Sequence, residues 1–153
     1  MDRFMIKISM GYPDFESQIS ILRDRHSVNP LDRISAVVTL EELRRLVQEA
    51  QTVEVGDYIY EYVTRLTHAT REHPMVQLGV SPRGALAVCR MAKAYAFVRG
   101  RDYVLPEDVA AVFPDVCCHR LVMSTKARMM EEKPETAIRS ILASVKMPAL
   151  KRE

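Results

Sequence analysis

Residues 79–86 read Gly-Val-Ser-Pro-Arg-Gly-Ala-Leu, and their types and spacing point to anion chemistry. Ser81 is a good N-cap, and Pro82 suits the first helical position, where its missing N–H costs nothing. Arg83 then falls in the first turn, where the helix dipole disfavours a cation by about 0.3–1 kcal/mol. A cation held against its own helix end raises the question of which anion it faces. Phosphate is the natural candidate, because helix N-termini and arginines both bind it. The plainer alternative is a solvated surface arginine that tolerates a small penalty.

No other constellation completes a catalytic set. Gly79 and Gly84 have the spacing of a nucleotide-binding loop, Gly-x-x-x-x-Gly-Lys-Ser/Thr, but Ala85 and Leu86 follow. The phosphate-binding lysine and the magnesium-binding hydroxyl are therefore missing. The histidines are His26, His68, His73 and His119; His68 and His73 are five apart and do not share a helical face. Cys117-Cys118-His119 crowds three ligand types together with no second cluster to close a tetrahedral site, so no metal is expected. These residues read as a buried thiol pair and a hydrogen-bonded histidine. Cys89 falls mid-helix among apolar neighbours, where a thiol is usually inert. Glu41-Glu42, Glu107-Asp108 and Glu131-Glu132 sit at helix starts or in polar segments, as dipole complements or solvated faces.

The composition sets the frame for these residues. The chain has 153 residues, 48% apolar and 27% charged, enough for one domain with a sizeable core. A formal net charge of +2, few aromatics and no Trp argue against nucleic acid. Cys89, Cys117 and Cys118 are an odd set with two adjacent members, a poor disulfide framework, which favours a reducing compartment. There is no apolar run near the roughly 20 residues of a membrane span and no signal-peptide start, so the cytoplasm is the default expectation.

Helices must position the octapeptide. Phe4, Ile6, Ile8 and Met10 alternate with Met5, Lys7 and Ser9, which predicts a strand ended by Gly11-Tyr12-Pro13. Asp14 can cap a helix to about Arg25, with Phe15, Ile19 and Leu22 on one face. His26 to Arg33 reads as a loop, and Ile34 to Val38 as extended. Thr39-Leu40-Glu41-Glu42 matches a capping box opening a helix to about Gln51, with Leu40, Leu43 and Val47 as its stripe. A further helix is predicted over Asp57–Glu72, with Ile59, Val63, Leu66 and Ala69 on one face. His73-Pro74 stops it. The Ser81-capped helix should run from Pro82 to about Arg99, apolar through Leu86, Val88, Met91, Ala92, Tyr95 and Ala96, and Gly100 should end it. Pro106-Glu107-Asp108 starts another, interrupted near Pro114, although Leu105 forgoes a side-chain cap worth about 1 kcal/mol. The last follows Pro134, with Ala137, Ile138, Ile141, Leu142 and Val145 as its apolar set, before a Lys151-Arg152-Glu153 tail. The expected class is mainly α, with about six helices and a strand in front.

Several linked segments resemble one family. Arg71-Glu72-His73-Pro74, Leu78 to Leu86, Gly100-Arg101-Asp102-Tyr103-Val104 with Pro106-Glu107-Asp108-Val109, and His119-Arg120-Leu121 resemble the C-terminal part of MoxR-type AAA+ ATPases in order and spacing. Asp2-Arg3-Phe4 with Ile8 to Pro13 resembles the stretch between sensor 1 and the lid. The resemblance covers essentially the whole chain. It implies a helical-bundle lid over residues 14–150, with residues 1–13 as the last strand of the αβα core and the hinge, and 151–153 as a tail. Ser81-Pro82-Arg83 looks like sensor 2, which makes Arg83 the γ-phosphate contact. Arg3 resembles the position of an arginine finger reaching a neighbouring subunit; otherwise it is paired with Asp2 or another acid. Tyr12, Pro13 and Ile21 correspond to the adenine-edge contacts of the hinge. The family's Walker A, Walker B and sensor 1 precede this segment and are not in it, so the chain alone should neither hydrolyse ATP nor bind it tightly. In an intact protein the resemblance implies ATP with Mg, a core domain, a hexameric ring with chaperone-like work, and von Willebrand A-domain partners, but no membrane. The rival reading is a freestanding helical module for protein interaction or nucleic acid, supported by the tail and by Arg23, Arg25, Arg44 and Arg45.

Overall fold

A computed structural model describes residues 3–24 and 30–149, with only the backbone at Pro30 and Asp32. Met1, Asp2, Arg25, His26 and the tail at 151–153 lie outside the described residues. In chain order the described elements are α1 (Phe15–Asp24), a 3-10 turn (Pro30–Arg33), α2 (Leu40–Thr52), α3 (Asp57–Glu72) and β1 (Val76–Leu78). They continue with α4 (Pro82–Val98), α5 (Pro106–Cys117), a 3-10 turn (Cys118–Arg120), β2 (Val122–Met123), α6 (Thr125–Met129) and α7 (Pro134–Ser144). The mainly helical class holds. The chain divides into two compact units, Ile8–Leu46 and the remainder.

The larger unit is built on α3, α4, α5 and α7. Helix α3 buries Ile59, Val63 and Leu66 at the predicted helical spacing, joined by Tyr62. The buried face of α4 is narrow in side-chain volume, with Ala87, Val88, Ala92 and Ala96. That lets α5 pack closely with Val109, Val112, Phe113 and Val116. Ala137, Ile138 and Ile141 of α7 complete the core. Leu86, expected on the apolar face of α4, is 60% exposed instead. It lies one residue before Ala87, on the other side of the helix.

Three further expectations change. Phe4–Met10 forms no strand. Alternation alone does not make a ladder. The backbone groups of this segment instead bond to the end of α5 and the 3-10 turn after it: Lys7 N–H donates to the Asp115 carbonyl at 3.0 Å, and the Phe4 carbonyl accepts from His119 and Arg120. Pro114 lies inside α5 and does not interrupt it. Its missing N–H frees one carbonyl, but Val112, Phe113, Val116 and Cys117 are buried on either side, and that packing offsets a cost of about 3 kcal/mol. Leu105 does lack a side-chain cap, yet Asp108 compensates by accepting the Leu105 N–H at 2.8 Å.

The tertiary pairings have no local signature. β1 and β2 are antiparallel, with Val76 opposite Met123 and Leu78 opposite Val122. Glu54 bridges Tyr103 in parallel, through Glu54 N–H to Asp102 O at 2.7 Å and Val104 N–H to Glu54 O at 3.0 Å.

In the smaller unit the caps are as read. Asp14 accepts the Ser17 N–H at 2.8 Å, and Thr39 and Glu42 exchange bonds at 3.2 and 2.7 Å. These bonds hold both carboxyls below the usual carboxylate range, led by the backbone N–H of Ser17 for Asp14 and of Thr39 for Glu42. Neither α1 nor α2 buries a residue; Phe15, Leu22, Leu40, Leu43 and Val47 stand exposed along their apolar stripes.

Candidate functional site

The start of α4 is fixed from behind by the last turn of α3. Thr70 Oγ1 accepts the Val80 N–H at 2.9 Å and donates to Thr67 O at 2.6 Å. Arg71 Nε donates to the Val80 carbonyl at 2.9 Å. Both backbone groups of Val80 are thus held, and Val80 itself is fully buried. Gly79 makes this possible by close approach. A Cβ there would stand 2.7 Å from Arg71 N and from Thr70 Oγ1.

From that anchor the next residues follow the sequence reading. Ser81 is extended at φ −74° and ψ 165°, and its Oγ accepts the Gly84 N–H at 3.2 Å. Pro82 takes the first helical position. Arg83 is exposed, and among the described residues its side chain has no hydrogen bond or ion pair. No acid lies in the first turn of α4, whereas α1, α2, α3, α5 and α7 each carry one there. The dipole of such a helix end, with a free guanidinium, forms an electropositive site suited to an oxyanion.

Arg120 lies beneath this turn. It is 8% exposed; Nε donates to Val116 O at 2.8 Å, and Nη2 to Phe4 O at 2.6 Å and Met5 O at 3.3 Å. A Cβ on Gly84 would sit 2.5 Å from Val80 Cγ1 and 3.1 Å from Arg120 Cδ, so the arginine stem passes close under the helix. His119 Nε2 donates to Phe4 O at 3.0 Å.

The structure therefore groups Ser81, Pro82 and Arg83, and through Arg120 links them to the segment following Arg3. Arg3 itself is exposed. Tyr12, Pro13 and Ile21 belong to the smaller unit, and all three are exposed. Thr70 and Arg120 were not singled out from sequence. Arg120 lay inside a segment that carries the family resemblance, but nothing local signals its contacts.

The remaining chemistry is structural. Burial pushes the Cys117 and Cys89 thiols up, and Cys118 is pushed up to about 11 by burial with Glu135 and Asp115 nearby. Protonated thiols are poor nucleophiles. Asp108, 3% exposed, holds Arg101 in a bidentate pair at 2.5 and 2.6 Å, and this bonding raises the Arg101 pKa. Among the described residues no group of three or more His, Cys, Asp or Glu could hold a metal ion, and no helix is long and apolar enough to cross a membrane.

Comparison with known proteins extends this picture. Residues 68–141 match the AAA lid domain family. The uncharacterized protein YeaC of Bacillus subtilis is 37% identical over 97% of this chain and 46% of its own length. The chaperone MoxR1 of Mycobacterium tuberculosis is 37% identical over 96% of this chain and 41% of its own. The crystal structure of a candidate ATPase from Cytophaga hutchinsonii superposes with a TM-score of 0.86 at 30% identity, covering 97% of this chain and 48% of that one. The chain thus spans about half the length of the curated relatives it matches.

Proposed function

We propose that this chain, whose residues 68–141 match the AAA lid domain family and which is similar to MoxR-type AAA+ proteins along nearly its whole length, serves as the lid of an ATPase, with Arg83 as the lid's contact to ATP phosphate. The observation that carries the reading is an exposed, unpartnered arginine in the first turn of α4, on a helix start without an acid and above the buried cation Arg120. Positive charge aimed at a transferring phosphoryl group stabilises charge that develops in the transition state.

The chain has no Walker A sequence, so hydrolysis requires a nucleotide-binding core supplied by the rest of the protein. That core binds ATP with Mg, and the lid closes on it. The exposed apolar stripes of α1 and α2 suit contact with such a core. Tyr12, Pro13 and Ile21 then lie at the adenine edge. Arg3 reaches the ATP of a neighbouring subunit in a hexameric ring, which does chaperone-like work on partners of the von Willebrand A-domain type.

The test is Arg83→Ala in the protein that contains both core and lid. Loss of one transition-state donor should lower kcat by about 10²–10³. Melting temperature should stay within about 0.5 kcal/mol equivalents of the parent, as for other exposed substitutions. An unchanged kcat refutes the phosphate role. ATP turnover by the 153-residue chain alone, in a preparation free of other ATPases, refutes the lid reading.

A further inference from the structure

We infer that Arg120 is a positioning residue for the phosphate contact, tying the segment after Arg3 to the first turn of α4; this rests on the reading of Arg83 above. Arg120 reaches in two directions. Its guanidinium holds the carbonyls of Phe4 and Met5 while Nε grips Val116 at the end of α5. Its stem lies against Gly84, one residue after Arg83. His119 adds a second donor to Phe4 O, and Lys7 N–H bonds to Asp115 O. Residues 4–7 are thus fixed on α5, and the α4 turn that presents Arg83 packs on the same arginine.

The arrangement depends on a forked, permanently charged side chain. Carbonyls on two separate stretches of chain take different nitrogens of one rigid plane, which a lysine point charge cannot reproduce. Gly84 is required because any Cβ there would press on both Val80 and the Arg120 stem. Removing the fork frees residues 4–7 and loosens the support beneath Arg83, so the guanidinium spends less time at the phosphate.

Two measurements decide this. In the protein with its core, Arg120→Gln should lower kcat about 10–100-fold with less than about a threefold change in KM, the signature of an interaction made in the transition state. In an Arg83→Ala background the same change should cost no more than about twofold, because residues acting as one unit are non-additive. Gly84→Ala, which displaces the stem without removing it, should show the same non-additivity and serves where Arg120→Gln does not fold. Full additivity with Arg83→Ala, or an unchanged kcat, overturns the proposal. An unchanged kcat in Arg83→Ala alone overturns only the phosphate reading. The tie is then judged by amide exchange in the 153-residue chain. Lys7 should lose protection at least about tenfold in Arg120→Gln while Ile141 keeps it, since local openings report local contacts. Unchanged protection at Lys7 overturns the tie.

Discussion

Gly79→Ala tests whether the start of α4 is set by α3. The added Cβ would lie 2.7 Å from Arg71 N and 2.8 Å from Arg71 Cα, and these are backbone atoms that cannot rotate away. The loop must therefore lift by several tenths of an ångström. Both bonds to Val80 are 2.9 Å, and such a lift carries them beyond hydrogen-bond range, about 3.5 Å. The buried Val80 N–H then lacks a partner, which costs about 1–3 kcal/mol. Displacing the fully buried Val80 side chain adds about 1–3 kcal/mol of packing strain. Reduced freedom of the unfolded chain returns about 0.4–1 kcal/mol. The net loss is about 3 kcal/mol, equivalent to a fall of about 6–12 °C in Tm for a chain of 153 residues. Thermal melting followed by circular dichroism reads it directly. Thr70→Val, which removes one bond without crowding, should cost less, about 1–3 kcal/mol. A Gly79→Ala Tm within 2 °C of the parent (under about 1 kcal/mol) would refute the argument that α3 holds this loop by backbone contact.

Asp108→Ala strips Arg101 and the Leu105 N–H of their acceptor together. Because the arginine side chain remains 21% exposed, the expected loss is about 2–4 kcal/mol by urea denaturation, below the value for a fully buried pair. The Glu42 carboxyl, held below its ordinary value by the Thr39 N–H and hydroxyl, contributes fully above the unfolded pKa of about 4.3 and loses its contribution as pH falls through the folded value. An NMR titration with a Glu42 midpoint at or above that of an unstructured peptide refutes the capping box. Arg83→Glu should stabilise the chain by about 0.3–1 kcal/mol in chemical denaturation, by matching the dipole, and in the protein with its core it should lower kcat at least as much as Arg83→Ala. A destabilised chain or a retained kcat contradicts the electrostatic reading.

Helix boundaries were readable where the signal is local. Asp14, Thr39, Ser81 and the prolines at 82, 106 and 134 act on backbone groups within a few residues, and α3 falls on the predicted Asp57–Glu72 span. The β1–β2 pairing joins two short stretches far apart in sequence, so no periodicity announces it. Helix α6 is a five-residue turn begun by Ser124, too short for an apolar stripe. The alternation at Phe4–Met10 was real, but alternation describes faces and not hydrogen-bonding partners. The same limit applies to the site. Ser81 and Pro82 made Arg83 conspicuous because capping is local, whereas Thr70 and Arg120 act through contacts that only the folded chain creates.

The start of α4 sets stability against another requirement. Among the described residues five helices begin with an acid that complements the dipole, whereas α4 and the five-residue α6 do not. The cost at Arg83 is only about 0.3–1 kcal/mol, which neighbouring packing easily absorbs. Yet the surroundings are built to keep this turn in place, with both backbone groups of Val80 fixed, glycines at 79 and 84 allowing close contact, and a buried arginine beneath. A rigid support for a locally unfavourable charge is what preorganised oxyanion binding requires, since a donor already held in place needs no reorganisation when the anion arrives.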